Sequence, residues 1–251
     1  MLAEGVDAWF TGAAIDELDD ANLAHHVPHS PERLAAARAR VGALTDTDVS
    51  TWTLMRQVHG AQVAVVEGGV EGGAELRGVD VMVTVLTDRP LVVLAADCLP
   101  ILAAGVRAVG VAHAGWRGVA AGAPDALVAA LMELGERPED LRVAIGPAIG
   151  ACCYAVGPEV VDAVVAVAPD ALGRTRGGDR SVDLRAAARQ RLQAAGVHDV
   201  RDAGGATEGP VCTSCDPGWF SHRRDGGAGR QAGIIVRRAA VVGRRVDDGR
   251  D

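Results

Sequence analysis

The chain has 251 residues, 49% of them hydrophobic, and a formal net charge of −8. That length and apolar content suit one large α/β domain with a substantial buried core. The acidic balance argues against nucleic acid as a partner, because phosphate backbones are bound through excess Lys and Arg. All 25 basic residues are arginine, which removes any Schiff-base or P-loop lysine from consideration.

The N-terminal stretch Met1–Asp7 has no positive region ahead of an apolar run, and the most apolar stretch, Pro90 to Ala104, is interrupted by Asp97. Neither a signal peptide nor a membrane span is expected. Five cysteines, an odd number without small-scaffold spacing, read as free thiols in a reducing cytoplasm.

The first predicted element is a helix from Pro31 through Val41, with Ser30 as N-cap and proline at the first helical position; it carries Arg33, Arg38 and Arg40. Apolar, β-branched runs follow at Gln62–Val66, Val79–Val85, Leu91–Ala95, Ile101–Ala104 and Ala108–Ala112, so the middle of the chain reads as sheet. A second helix is expected between Gly118 and Gly135, a third over Pro158 to about Ala168, and a fourth from Asp183 to Ala195 with Gly196 as its stop. Strands at Arg142–Ile145, Val197–Arg201 and Gly233–Val236 fall between and after them. The alternation predicts a single α/β (α+β) domain built on a mixed sheet system flanked by helices. Low order is expected at the Gly/Arg loop from Gly173 to Gly178 and in the charged tail from Arg244.

Three residues stand out chemically: His59 in Arg56-Gln57-Val58-His59-Gly60, Cys98 in Ala96-Asp97-Cys98-Leu99-Pro100, and His113 in Ala112-His113-Ala114-Gly115-Trp116-Arg117-Gly118. Each alone would pass for a turn residue or a core thiol. Together, two imidazoles and an ionisable thiol form a soft ligand set that suits zinc and leaves a fourth tetrahedral position open. A hairpin with Gly105-Val106 as a two-residue type II′ turn pairs Ala104 with Arg107 and sets Cys98 opposite His113. Directly opposed residues have Cβ atoms roughly 4.5–5.5 Å apart, close enough to share a metal. Asp97 is placed to orient a ligand from behind.

Phe220 to Arg230 interleaves Arg223, Arg224 and Arg230 with Gly226, Gly227 and Gly229, a composition that excludes a stable helix and suits a phosphate or carboxylate. Arg117 adds a further anion contact beside the metal. Ile145–Tyr154 is a Gly/Pro loop that holds the only tyrosine. Cys212-Thr213-Ser214-Cys215 has the spacing of a redox or zinc pair, but no second such pair lies downstream, and Cys152-Cys153 is uninformative by itself.

From Asn22 to Ile235 these motifs resemble a known family, the multicopper polyphenol oxidases or laccase-domain proteins, also called peptidoglycan editing factors. The resemblance rests on Asn22-Leu23, Gln57-Val58-His59-Gly60, Ala96-Asp97-Cys98-Leu99-Pro100-Ile101-Leu102, His113 to Gly118, Ile145 to Gly150, Tyr154, Arg223-Arg224-Asp225-Gly226 and Gly229-Arg230. It implies a mixed-sheet, multilayer α/β sandwich and a zinc-dependent purine nucleoside phosphorylase, acting on adenosine, inosine and methylthioadenosine with phosphate, that also deaminates adenosine. It further implies that His59, Cys98 and His113 bind zinc rather than copper, and that Asn22, Arg38, Gln57, Arg117, Tyr154 and Arg223 contact nucleoside or phosphate. Two positions depart from the family pattern. Ala37-Arg38 replaces Asn-Arg, and Trp219-Phe220-Ser221-His222-Arg223-Arg224 replaces Phe-Phe-Ser-Tyr-Arg-Arg. Competing readings are a peptidoglycan-precursor hydrolase, a copper phenol oxidase, a cysteine hydrolase using Cys98 with His113 as base, and a zinc-stabilised binding module.

Overall fold

The computed structural model describes residues 1–18, 20–68, 71, 73, 75–203, 210–227 and 229–239. Two mixed sheets form the middle of the molecule. The first contains β1 (Val6–Phe10), β2 (Thr53–Arg56), β4 (Glu75–Arg77), β6 (Leu91–Ala95) and β13 (Gln231–Arg237), in the order β1-β13-β6-β2-β4. The second contains β3 (Val63–Val65), β5 (Val81–Thr84), β7 (Leu99–Ala104), β8 (Val109–Ala114), β9 (Arg142–Ile145) and β12 (Asp199–Asp202), in the order β12-β9-β7-β8-β5-β3. A separate hairpin pairs β10 (Leu172–Arg174) with β11 (Arg180–Val182).

Alternation along the strands explains the layering. Leu91 and Val93 of β6 meet Met82, Leu102 and Val111 of the other sheet in one core cluster, whereas Val92 and Leu94 face outward into a second. That second cluster is covered by Ala37 and Val41 of α1 (Pro31–Thr45), with Leu23 and Trp52. The far face of the second sheet packs on α3 (Ala123–Glu133), α4 (Pro158–Val167) and α5 (Leu184–Ala194). The central strands of both sheets are therefore buried on both faces, which is why β5, β6, β7 and β8 read as continuous apolar runs. The result is a four-layer helix–sheet–sheet–helix sandwich, which agrees with the mixed sheets flanked by helices read from the sequence and with the several layers the resemblance implies.

Four local expectations are corrected. The β7–β8 register is shifted by two: Ala104 pairs with Val109 and Pro100 with His113, so Cys98 lies just before β7 and is not opposite His113. The cause is Glu136. Its buried carboxylate accepts the amides of Val106, Arg107 and Ala108 at 2.8, 2.6 and 2.7 Å and stretches the turn to four residues. The predicted second helix is two, α2 (Trp116–Ala120) and α3, separated at Gly122, whose φ of 85° lies in the left-handed region. Gly173 to Gly178 is an ordered hairpin end, closed by Thr175 N–H to Asp179 O at 3.0 Å. The arginine–glycine segment does contain a helical turn, α6 (His222–Asp225), capped by the Ser221 hydroxyl and stopped by Gly226 at φ 67°. The charged tail from Arg244 lies outside the described residues. Among the described residues no helix is long and apolar enough to cross a membrane.

A candidate metal centre in an arginine-lined cavity

The site is organised around a residue that sequence reasoning missed. Asp80, fully buried immediately before β5, accepts the amides of Val58 at 3.1 Å, His59 at 3.0 Å and Gly60 at 2.7 Å. Its Oδ1 also accepts Nδ1–H of His113 at 2.9 Å. A buried carboxylate is tolerated only when its lone pairs are occupied, and here four donors do so. Burial pushes the Asp80 carboxyl up, but the His113 bond and the amides outweigh it and hold it below the ordinary range. The three amides bend the chain so that His59 adopts φ 63°, and the fourth bond turns Nε2 of His113 into the cavity.

His59 and His113 meet edge to face with ring centroids 4.9 Å apart, and one donor atom from each of His59, Cys98 and His113 lies within 4.8 Å of the others. The two-residue register shift keeps Cys98 and His113 on the same side of the hairpin, because side chains alternate with period two. Burial works against the Cys98 thiolate, yet His113 and His59 overcome it and bring the thiol down to about 6. Burial likewise opposes a charged His113, but the Cys98 thiolate and Asp80 raise it to about 9. A thiolate and two imidazoles converging on one point form a donor set that could hold a soft divalent ion with an open fourth position.

Gly115, the N-cap of α2, passes directly over this group: a Cβ there would lie 2.9 Å from Cys98 Sγ and 3.2 Å from His59 Cδ2. Gly115→Ala is expected to spread the three donors and weaken metal binding at least about 10-fold with little change in fold. Competition with a chromogenic chelator reads this directly, and unaltered affinity would show that the donors do not act together.

The cavity above the donors measures about 740 Å³. Gln57, Arg117, Tyr154 and Arg223 all line it, together with Arg56 and Arg230. Gln57 is locked by a two-way amide contact with Leu94, at 2.8 Å to its carbonyl and 3.1 Å from its amide. Arg117 lies 4.3 Å from the Trp116 ring centroid, and Arg223 lies 5.1 Å from that of Tyr154 while donating to Ala155 O at 3.0 Å. Burial and the neighbouring Cys98 push the Tyr154 hydroxyl up to about 12, so it remains a donor.

Two expected residues, Asn22 and Arg38, sit outside the cavity, and a third, Asp97, lines it with its carboxylate turned to other partners. Asn22 is buried behind the wall, where its Oδ1 accepts the amides of Ala24 at 3.0 Å and Arg230 at 2.9 Å. Arg38 grips Leu23 O through Nε and Nη2 at 3.1 and 2.8 Å. Both brace the segment that presents Arg230. The Asp97 carboxylate accepts Thr213 Oγ1 at 2.6 Å and the Arg223 amide at 2.7 Å, and it is Asp80 that bonds to the ligand-set histidine His113. Of the two departures, Ala37 is packed in the core and His222 lines the cavity. Arg224, from the same segment as Arg223, ties Thr213 O and Trp219 O together instead of facing the cavity.

The fold and site define a class: a four-layer α/β sandwich whose cavity offers a soft metal-ligand set beside several guanidinium groups. Residues 9–238 match the family described as multi-copper polyphenol oxidoreductase laccase, and the chain belongs to that family. Purine nucleoside phosphorylase ORF3 of Streptomyces griseus is 36% identical over 231 residues, 91% of each chain. A purine nucleoside phosphorylase of Xylella fastidiosa is 39% identical over 229 residues, 88% of this chain and 85% of that one. Among solved structures, YlmD from Geobacillus stearothermophilus superposes with a TM-score of 0.84 at 32% identity, covering 94% of this chain and 93% of its own. The hypothetical protein YfiH of Bacillus licheniformis gives 0.82 at 29% identity, covering 93% of both chains.

Proposed function

We propose that the protein is a purine nucleoside phosphorylase that takes adenosine, inosine and methylthioadenosine, deaminates adenosine at the same site, and holds zinc through His59, Cys98 and His113. The observation that carries this reading is the convergence of Arg56, Arg117, Arg223 and Arg230 on the cavity that contains the His59–Cys98–His113 group. A volume near 740 Å³ falls within the range of about 300–1,000 Å³ usual for small-molecule sites. The phosphorylase names of relatives 36% and 39% identical support the assignment.

Phosphorolysis forms a bond from a phosphate oxygen to the ribose anomeric carbon as the glycosidic C–N bond breaks; the electron pair leaves with the purine, which takes up a proton. Multiply charged phosphate needs fixed cationic donors, and planar guanidiniums offer paired N–H groups that match it. Stacking on Trp116 and bonding to Ala155 O hold Arg117 and Arg223 in place before substrate arrives. Such prior orientation lowers the barrier through positioning and electrostatics. Tyr154, kept protonated, supplies a neutral donor against the nucleoside. Zinc would supply an activated water for deamination, and Asp80 fixes the tautomer in which His113 can bind it. Five cysteines without a disulfide suit a cytoplasmic enzyme.

The test is chromatography of adenosine incubated with the zinc-loaded protein, with and without phosphate. Adenine is expected only when phosphate is present, and inosine in both samples. No turnover of either kind would overturn the proposal and favour the precursor-hydrolase reading.

A further inference from the structure

Away from the cavity floor, the structure brings together two cysteine pairs that lie about sixty residues apart in sequence. One atom each from Cys152, Cys153, Cys212 and Cys215 lies within 4.8 Å of all the others. Sγ of Cys215 is 3.6 Å from that of Cys152 and 3.3 Å from that of Cys153, and the Cys152 and Cys153 sulfurs are 3.8 Å apart. A tetrahedral ion with metal–sulfur bonds of about 2.3 Å spaces its ligands roughly 3.8 Å apart. These sulfurs are therefore arranged as the corners of such a site, and all four are free thiols.

We propose that these four cysteines bind a zinc ion as a closed tetrathiolate, a second metal site separate from His59, Cys98 and His113. The backbone is shaped for it. Cys212 opens a tight turn in which Cys215 N–H bonds to Cys212 O at 3.0 Å, and Cys153 N–H bonds to Gly150 O at 3.0 Å in the facing loop. Gly150 N–H donates to Cys212 Sγ at 3.2 Å, a bond that favours the thiolate. Gly150 passes so close that a Cβ there would lie 3.2 Å from Cys152 Sγ and 3.4 Å from Cys212 Sγ. A zinc tetrathiolate carries a formal charge of −2, and Arg176, which bonds through its amide to Cys152 O at 3.1 Å, places its guanidinium beside these sulfurs.

The position gives the site a role. Four protein ligands leave no open coordination place, so the ion is structural. Tyr154 follows Cys153 directly, and Thr213, next to Cys212, holds the Asp97 carboxylate that in turn fixes the Arg223 amide. The 211–213 segment is tied to the facing loop by the Ala148–Cys212 bridge, by the Gly150 amide on Cys212 Sγ and by Arg185, which donates to Ala148 O and Val211 O. A zinc ion across the two loops staples one wall of the cavity.

The experiment measures zinc by mass spectrometry in the anaerobically purified full-length chain and in two variants. The Cys212→Ser/Cys215→Ser variant is expected to contain about one equivalent less than the parent, and His113→Ala to retain the tetrathiolate ion. Reconstituting His113→Ala with cobalt should give the intense visible and sulfur-to-cobalt charge-transfer absorption of a tetrahedral four-sulfur site, a signal that a two-histidine, one-thiolate site does not produce with that strength. If the double cysteine variant fails to fold, the cobalt spectrum decides alone. Equal zinc in the parent and a folded double variant, no charge-transfer absorption, or disulfides joining these cysteines in the native protein would overturn the site. Because the readout is metal content and spectrum, failure of the phosphorylase assay leaves this result unaffected.

Discussion

His113→Ala is expected to leave a folded protein that has lost the ion at the His59–Cys98–His113 site and turns adenosine over about 10³-fold more slowly, in phosphorolysis and deamination alike. Three donors within 4.8 Å make a site, whereas His59 and Cys98 alone are a weak pair, with His59 exposed at the rim of the cavity. The loss reaches both reactions because one cavity serves them. Without an ion, the thiolate of Cys98 stands uncompensated on the floor against which phosphate must bind, and like charges repel. The fold survives because Asp80 keeps three of its four donors, the amides of Val58, His59 and Gly60. Chelator treatment of the parent should reproduce the kinetic loss, and zinc should reverse it in the parent but not in the variant. A variant with full zinc occupancy and full turnover would remove the metal from the mechanism.

What the sequence discloses and what it hides follow a physical division. The sheets are legible because buried strands such as Leu91–Ala95 are continuous apolar runs, and α1 because Ser30-Pro31 is a local start signal. The register of β7 and β8 is not legible, because the turn between them is held by Glu136, roughly thirty residues on, and nothing in Gly105-Val106-Arg107-Ala108 announces that partner. The short strands Thr53–Arg56 and Glu75–Arg77 carry too few residues for a period to show.

The donors His59, Cys98 and His113 are visible as unusual residue types in Gly-containing contexts. Asp80 had a fainter signal: a carboxylate inside the apolar run Val79–Val85 must be paired wherever that run is buried. Arg230 is visible in the arginine–glycine segment, whereas Arg56 carries no signal of its own, and only the packing of β2 near the Gly229-Arg230 turn brings the two to one cavity. The four-cysteine group is hidden for a related reason. A zinc pair is ordinarily sought downstream of a CxxC, and here its complement is a vicinal pair upstream.

Asp80→Asn, which changes one oxygen to an NH₂ group, is expected to cost about 2–4 kcal/mol of stability and to weaken zinc binding about 10–100-fold. Oδ1 accepts from His59 N and His113 Nδ1, and Oδ2 from Val58 N and Gly60 N, so the carboxylate has no side at which a donor can be introduced. If the amide nitrogen takes the Oδ2 position, the Val58 and Gly60 N–H groups that face the buried carboxylate lose their acceptor, at about 1–2 kcal/mol each. If it takes the Oδ1 position, it faces Nδ1 of His113, which then becomes the acceptor. The imidazole proton moves to Nε2, the atom that must be bare to hold the metal. Both orientations damage the site, one through the His59 turn and the other through the His113 tautomer. A stability loss of this size in a chain of 251 residues corresponds to a melting point lower by about 5–10 °C. Thermal unfolding of the chelator-treated proteins isolates the backbone cost from the metal, and zinc titration of the folded variant isolates the tautomer. An unchanged melting point together with unchanged zinc affinity would show that Asp80 does not organise the two histidines.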